Sequence, residues 1–296
     1  MENTAFREQL DLYGAAFEKV LAEYLQSVRF RPDVLDESVR YSLQSGGKRL
    51  RPVLLFAVTR MLGGRLESVA PFALALELIH TYSLIHDDLP AMDNDDYRRG
   101  RLSNHRVFGE GQAILAGDAL LNEAYRICFE ACTHGKTYVA AAELLCRNAG
   151  PAGMIAGQAA DLYYQGREDA GKREAEFIVV HKTAMMLRSA VTVPAIVADL
   201  DENIRALLDE FGKQFGILFQ LTDDMLDVTG DFAKLGKSIG KDAEENKLSY
   251  VQLYGMDECA ALADHALLLC EQVLGELPYD ASFLLALARY VRGREA

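Results

Sequence analysis

Two clusters of aspartate carry the strongest chemical signal in this sequence. The first, Ile85-His86-Asp87-Asp88-Leu89-Pro90-Ala91-Met92-Asp93-Asn94-Asp95-Asp96, closes a nearly all-apolar helical stretch. Pro90 disfavours helix at Leu89, so the helix is expected to end near Asp88 and the chain to turn, bringing Asp93 back beside Asp87. Carboxylates this crowded repel one another, and the negative end of a helix dipole adds to the repulsion, so a cation is favoured there. Hard oxygen ligands that leave room for water and phosphate oxygens suit Mg²⁺. A solvated acidic turn is the competing reading, since Asp also favours caps and turns.

The second cluster, Phe219-Gln220-Leu221-Thr222-Asp223-Asp224-Met225-Leu226-Asp227, lies inside an apolar helical run, which puts Asp223 and Asp227 at i and i+4 on one face. Burying such a pair without a cation is costly, whereas an exposed pair at a helix end needs none. Neither cluster has the central Gly and terminal Glu of an EF-hand. Two carboxylate clusters suggest one shared metal site.

An anion held by that metal also needs cations. Gly46-Gly47-Lys48-Arg49-Leu50-Arg51-Pro52 combines glycines, which let a phosphate approach the backbone, with Lys48 and Arg51, which could face one anion. It is not a Walker A loop, because GxxxxGK[ST] is absent. Arg98-Arg99-Gly100-Arg101 follows the first acidic cluster directly, so a diphosphate would bind between metals and arginines. Lys182-Thr183 after His181, and Lys237, Lys241 and Lys247 in the Gly-rich segment after the second cluster, are further candidates. Each alone reads as plain surface; only the recurrence of bases beside acids raises them. His80, with Glu77 three residues earlier on the same helical side, reads either as a satisfied core histidine or as an anion ligand. No Ser/His/Asp or Cys/His nucleophile arrangement is apparent.

Positioning these groups falls to helices. Apolar residues recur at three and four positions through Phe72 to Ile85, Ala113 to Cys132, Glu174 to Ala190 and Ile204 to Val228. Alternating strand-like segments are scarce. With 7 prolines and no Pro/Gly/Ser-rich linker, the chain reads as one all-α domain over residues 1–296, with about ten helices or more. Half of its 296 residues are hydrophobic, enough for a substantial core. The balance of 44 acidic against 31 basic residues, a net charge of -13, opposes nucleic acid and anionic lipid as partners. No apolar run reaches the roughly 18 to 20 residues a membrane span needs, and the first residues carry acids where a signal peptide carries bases. The expected compartment is the cytosol. Cys128, Cys132, Cys146, Cys259 and Cys270, an odd number without CxxC spacing, read as reduced packing residues.

In order, the segments GGKRLRP, ELIHTYSLIHDDLPAMDNDDYRRG, GDALL, GQAADL, HKT, FQLTDDMLD and NKLSY resemble the motifs of the trans-prenyl diphosphate synthases, notably the bacterial-type farnesyl diphosphate synthases. The resemblance runs from about Tyr41 to Tyr250. It implies the isoprenoid synthase fold, a helical bundle around a deep central cavity with the two Asp motifs facing across its mouth, commonly as a homodimer. In that reading Asp87, Asp93 and Asp223 ligate a cluster of about three Mg²⁺ ions, with Asp88 and Asp227 as close or water-mediated partners. The catalytic set is Asp87, Asp88, Asp93, Arg98, Lys182, Asp223 and Lys237. Arg98, Lys182, Thr183, Gln220 and Lys237 would hold the allylic diphosphate, and Gly47, Lys48, Arg51, His80 and Arg99 isopentenyl diphosphate; Lys247 joins the substrate-binding set. The implied reaction is ionisation, condensation and elimination, with the released diphosphate taking the proton.

Tyr82 and Ser83 resemble the farnesyl-forming pattern. Tyr82 stands five residues before Asp87, about 7.5 Å deeper along a helix axis, where a ring could floor the cavity. Alternatively Tyr82 only packs between helices, and the product is geranylgeranyl diphosphate. A non-catalytic partner subunit is the reading from another class, disfavoured by intact Asp87, Asp93 and Asp223. A class I terpene cyclase needs no second diphosphate site, so Lys48, Arg51 and the second Asp motif argue against it. The sequence departs from the family pattern at Arg101-Leu102-Ser103 for Lys-Pro-Thr, at Ala184 where Gly is common, and at Ser249-Tyr250-Val251 for Thr-Tyr-Pro. These bear on loop closure and product length. Arg292 and Arg294 either close over isopentenyl diphosphate or fray.

Overall fold

The computed structural model describes residues 2–229 and 248–294. Its helices are α1 (Glu2–Ser27), α2 (Asp33–Leu43), α3 (Leu50–Met61), α4 (Leu66–Asp87), α5 (Asn104–Phe108), α6 (Glu110–Ala131), α7 (Lys136–Ala149), α8 (Met154–Tyr164), α9 (Lys172–Ile178), α10 (Met185–Val197), α11 (Glu202–Thr229), α12 (Tyr250–Tyr254), α13 (Met256–Glu276) and α14 (Ser282–Arg292). The fold is all-helical, as the periodicity predicts. The one sheet among the described residues is a hairpin of two-residue strands, β1 (Tyr97–Arg98) and β2 (Arg101–Leu102).

The hydrophobicity of α4 decides the architecture. It is apolar on every side, and a helix of that kind is stable only when surrounded. Helices α3, α6 and α10 pack around it, burying Phe72, Leu76, Leu78 and Ile79. Contrary to the sequence expectation, one segment does match a membrane span: α4 is 22 residues long with a hydropathy of 1.4, but 67% of that stretch lies inside the protein. The helix is the centre of the core. On the far side of the core, α11 packs against α10 and α13, burying Phe211, Phe215 and Leu218. The C-terminal ends of α4 and α11 thus carry the two aspartate clusters.

Between α9 and α10 the chain makes a π-helical turn, Val179–Ala184, a wide coil that accommodates an extra residue and is frequent at functional sites. Helix α8 crosses it backbone to backbone at Gly157, where an added Cβ would stand 2.1 Å from Lys182 N. The five cysteines are free, and Cys128, Cys259 and Cys270 are buried, as packing residues should be.

Phe72 is fully buried on α4, with its ring 5.9 Å from that of Tyr138 on α7, so truncating it leaves a cavity in the core. Phe72→Ala is expected to cost about 3–5 kcal/mol of stability, read by chemical denaturation.

Candidate active site

Both aspartate clusters reach one cavity of about 830 Å³. Helix α4 ends at Asp87, and the chain turns back as Pro90 dictates. Met92 and Asn94 N–H groups donate to Leu89 O at 2.9 and 3.0 Å, and the Asp93 N–H donates to Asp87 O at 2.8 Å. Asp93 is thereby buried close to Asp87. Burial raises the Asp87 carboxyl above the ordinary carboxylate range; Asp93 and Asp161 push the same way, against Lys182 and Arg98. Asp223 lines the cavity from α11.

Two residues of the clusters depart from the roles expected of them. Asp88 is 2% exposed and turns away from the cavity to receive Arg98 Nε at 2.8 Å and Nη2 at 2.5 Å. It sets the position of Arg98 instead of facing a metal, and burial outweighs the arginine to push its carboxyl up to about 6. Asp227 is 4% exposed and does not line the cavity, so the i, i+4 pair does not act as one surface. Asp224, between them, ties α11 to α12 by accepting from Gln220 Nε2 and the Tyr250 N–H, both at 2.8 Å.

Cations surround the carboxylates. Lys182, on the π-helical turn, donates to Asp161 Oδ2 at 2.5 Å. Burial pulls its ammonium down, but Asp87, Asp161 and Asp93 together overcome that and hold it above the ordinary lysine value. Thr183 Oγ1 donates to Gln220 Oε1 at 2.8 Å, so the two polar candidates form one chain ending on Asp224. Arg98 also reaches Asp95 at 3.1 Å. Arg294, beyond α14, does not fray. Its Nη2 donates to Asp223 Oδ1 at 2.5 Å, and its guanidinium lies 4.8 Å from the Phe219 ring centre. Arg292 instead pairs with Asp264 at 2.7 Å.

The second basic group forms another part of the same wall, where Gly47, Lys48, Arg51, His80 and Arg99 all line the cavity. Arg99 and Gly100 are the central residues of the β1–β2 turn, with φ 55° and 73°, the positive values a type I′ turn requires. This turn sends the Arg99 side chain to the Gly46 carbonyl and across Gly47. A Cβ at Gly47 would stand 2.7 Å from Arg99 Cζ, and φ +124° is strained for any other residue. The departing segment Arg101-Leu102 anchors this hairpin: Arg101 lies 4.1 Å from the Tyr41 ring centre, and Tyr41 Oη donates to Leu102 O at 2.8 Å. Burial and repulsion from Arg99 bring Arg51 down to about 10, still cationic at neutral pH. Burial, then Arg51 and Arg99, hold His80 well below the ordinary histidine value, so it is a neutral imidazole.

The interior is apolar. Tyr82 and Ser83 both line it, Tyr82 at 6% exposure with its ring edge-on to His86 at 5.7 Å, alongside Leu121, Met154 and Leu162. Lys237, Lys241 and Lys247 fall outside the described residues. Asp118 and Gln158 line the cavity and Asp161 accepts from Lys182, none of them having been assigned roles; they lie in GDALL and GQAADL, where nothing but the resemblance singled out those segments. Gln158 Nε2 is buried without a partner among the described residues, which suits a donor awaiting a ligand.

Among the described residues no three His, Cys, Asp or Glu side chains converge into a closed cage for a metal. The carboxylates sit apart on two helices, with Lys182 and Arg294 already drawn to them. Such an open, all-oxygen donor set fits Mg²⁺, which keeps waters and takes phosphate oxygens for its remaining positions.

Fold and cavity together define an all-helical protein built for amphipathic anions: carboxylates and bases at one end, an apolar bore beyond them. The comparisons agree. The model of the polyprenyl synthetase family matches residues 32–271. A chloroplastic geranylgeranyl pyrophosphate synthase of Catharanthus roseus is 44% identical over 269 residues, 89% of this chain and 75% of that protein. A farnesyl diphosphate synthase of Geobacillus stearothermophilus is 43% identical over 259 residues, 86% of each. The structure of a geranyltransferase from Helicobacter pylori complexed with magnesium and isoprenyl diphosphate superposes with a TM-score of 0.83 at 29% identity, covering 96% of both chains. The chain belongs to the polyprenyl synthetase family. It is a prenyltransferase of the short-chain trans-prenyl diphosphate synthase type, with the isoprenoid synthase fold.

The raised Asp87 carboxyl has a stability consequence. A folded-state value above the unfolded one favours folding while the group is protonated, and that contribution is lost as pH rises through the folded value. Asp87→Asn is therefore expected to stabilise the metal-free protein at neutral pH, by an amount that shrinks toward about pH 4. Thermal melts of both proteins across that range, in EDTA, measure it.

Proposed function

We propose that this chain condenses isopentenyl diphosphate with dimethylallyl or geranyl diphosphate and releases farnesyl diphosphate as its final product. Relatives of both farnesyl and geranylgeranyl name stand at similar identity, so overall likeness does not discriminate. The observation that carries the reading is Tyr82: a bulky ring, buried, in the cavity wall about one and a half turns below Asp87. A growing chain that enters from the diphosphate end meets that ring.

Asp87, Asp93 and Asp223 would hold the Mg²⁺ ions, which when bound draw charge from the departing diphosphate. Arg98 and Lys182, with Thr183 and Gln220 beside them, bind the allylic diphosphate; Lys48, Arg51, Arg99 and neutral His80 bind isopentenyl diphosphate against the Gly47 backbone. The allylic C1–O bond breaks with its electron pair leaving on diphosphate. The double bond of isopentenyl diphosphate then attacks C1, a C–C bond forms, and the proton lost from the adjacent carbon passes to the released diphosphate. Leu121, Met154 and Leu162 keep water from the cation, while the Thr183 and Gln220 oxygens present dipoles toward it.

Incubation with labelled isopentenyl diphosphate, Mg²⁺ and geranyl diphosphate is expected to end at farnesyl diphosphate. EDTA should abolish turnover and Asp87→Ala reduce it about 10²–10³-fold or more. Tyr82→Ala should move the product to geranylgeranyl diphosphate; a wild-type product already of that length would refute the Tyr82 floor, and no condensation with any starter would refute the activity.

The same reading includes a cytosolic homodimer. Its support is an apolar face on α6 and α7, where Ile114, Leu115, Phe129 and Val139 are exposed, Phe129 by 76%. Analytical ultracentrifugation is expected to show a dimer that Phe129→Glu weakens.

A further inference from the structure

The basic wall of the cavity is organised around one buried carboxylate. Glu77 lies on α4 one turn before His80 and is 1% exposed. Its Oε1 accepts from Arg49 Nη1 at 2.7 Å and stands 3.9 Å from Arg99 Nη2. Its Oε2 is buried with no hydrogen-bond partner among the described residues, and so is Arg51 Nε. Glu77 and Arg51 line the same cavity, and the carboxylate attracts the Arg51 cation.

Arg49 explains how the arrangement is braced. It is 5% exposed, and its left-handed backbone, φ 47°, sets its side chain apart from those of Lys48 and Arg51. Besides Glu77 it donates from Nε to Glu18 Oε1 of α1 at 2.8 Å and from Nη2 to Leu43 O at 2.7 Å. Each of its three guanidinium nitrogens thus donates to protein. Arg49 is a strut between α1 and α4, whereas Arg51 keeps a donor for a ligand.

We infer that Glu77 is a positioning residue for isopentenyl diphosphate: through Arg49, Arg51 and Arg99 it sets the spacing of the cations that grip this diphosphate, without touching the reacting atoms. The inference rests on the proposed synthase activity. Three guanidinium groups crowded into a low-dielectric wall repel one another, and a carboxylate among them fixes their geometry while lowering the net charge. These two effects have opposite signs for substrate affinity. Removing the negative charge alone would strengthen attraction to a diphosphate; losing the geometry weakens it.

The test is steady-state kinetics of wild type, Glu77→Gln and Glu77→Asp, varying isopentenyl diphosphate and geranyl diphosphate separately, with melting curves of each protein. Glu77→Gln is expected to raise the KM for isopentenyl diphosphate about tenfold, leaving kcat and the KM for geranyl diphosphate within about twofold. Glu77→Asp, which keeps the charge but shortens its reach, should shift the same constant by less, and carries the test alone if the Gln variant does not fold. An unchanged or lower KM for isopentenyl diphosphate overturns the inference, as does an equal rise in both constants. Failure of the wild type to condense the substrates would instead sink the synthase reading itself, a result visible before any variant is made.

Discussion

Repulsion among partly buried carboxylates is the constraint around which this structure is arranged. Asp87 and Asp223 are brought to one cavity by α4 and α11, and the turn after α4 buries Asp93 close to Asp87. At such separations in a low-dielectric setting, like charges cost far more than in water. Each is met by a base: Lys182 near Asp87 and Asp93, Arg294 on Asp223. Asp88 escapes the crowd by turning to Arg98. The cluster therefore folds with borrowed cations, and those same cations are the groups a diphosphate would need. Acid and base are not two separate features but one neutralised layer, in which ligand and metal can exchange for internal partners.

How much of this the sequence disclosed follows from the range of each interaction. The turn after Asp87 was legible because Pro90 acts locally, and the helical nature of α4 and α11 because their apolar periodicity extends over many turns. The direction in which Asp88 points was not, since it depends on an arginine ten residues later folding back through a hairpin. The same holds for Asp227, which shares a helix face with Asp223 by spacing but is buried away from the cavity. Arg99 at positive φ gave no warning in composition, because an Arg-Gly pair is a poor signature of a type I′ turn. The membrane-like character of α4 does not show as an unbroken apolar run because Glu77 interrupts it at mid-helix, though its hydropathy over a window is high.

Glycine and arginine divide the work at the basic wall. The guanidinium of Arg99 lies against Gly47 because no Cβ is there to hold it off. Arg49, two residues on, spends its hydrogen bonds on Glu18, Glu77 and Leu43. In a motif of alternating bases, then, adjacent side chains serve the protein and the ligand in turn, and only three-dimensional contacts reveal which does which.

The π-helical turn at Val179–Ala184 bears on how this segment can change over time. A residue beyond the α-helical count rotates everything after it by about 100°. Exchanging one side chain for another leaves that offset intact, and Ala184 in place of the family's usual Gly is such an exchange. Deleting a single residue would instead swing Met186, Leu187, Ala190 and Val191, all buried on α10, out of the core together. At Ala184 the chain is thus open to substitution but closed to insertion or deletion: the number of residues in the turn is held more strictly than the identity of that one.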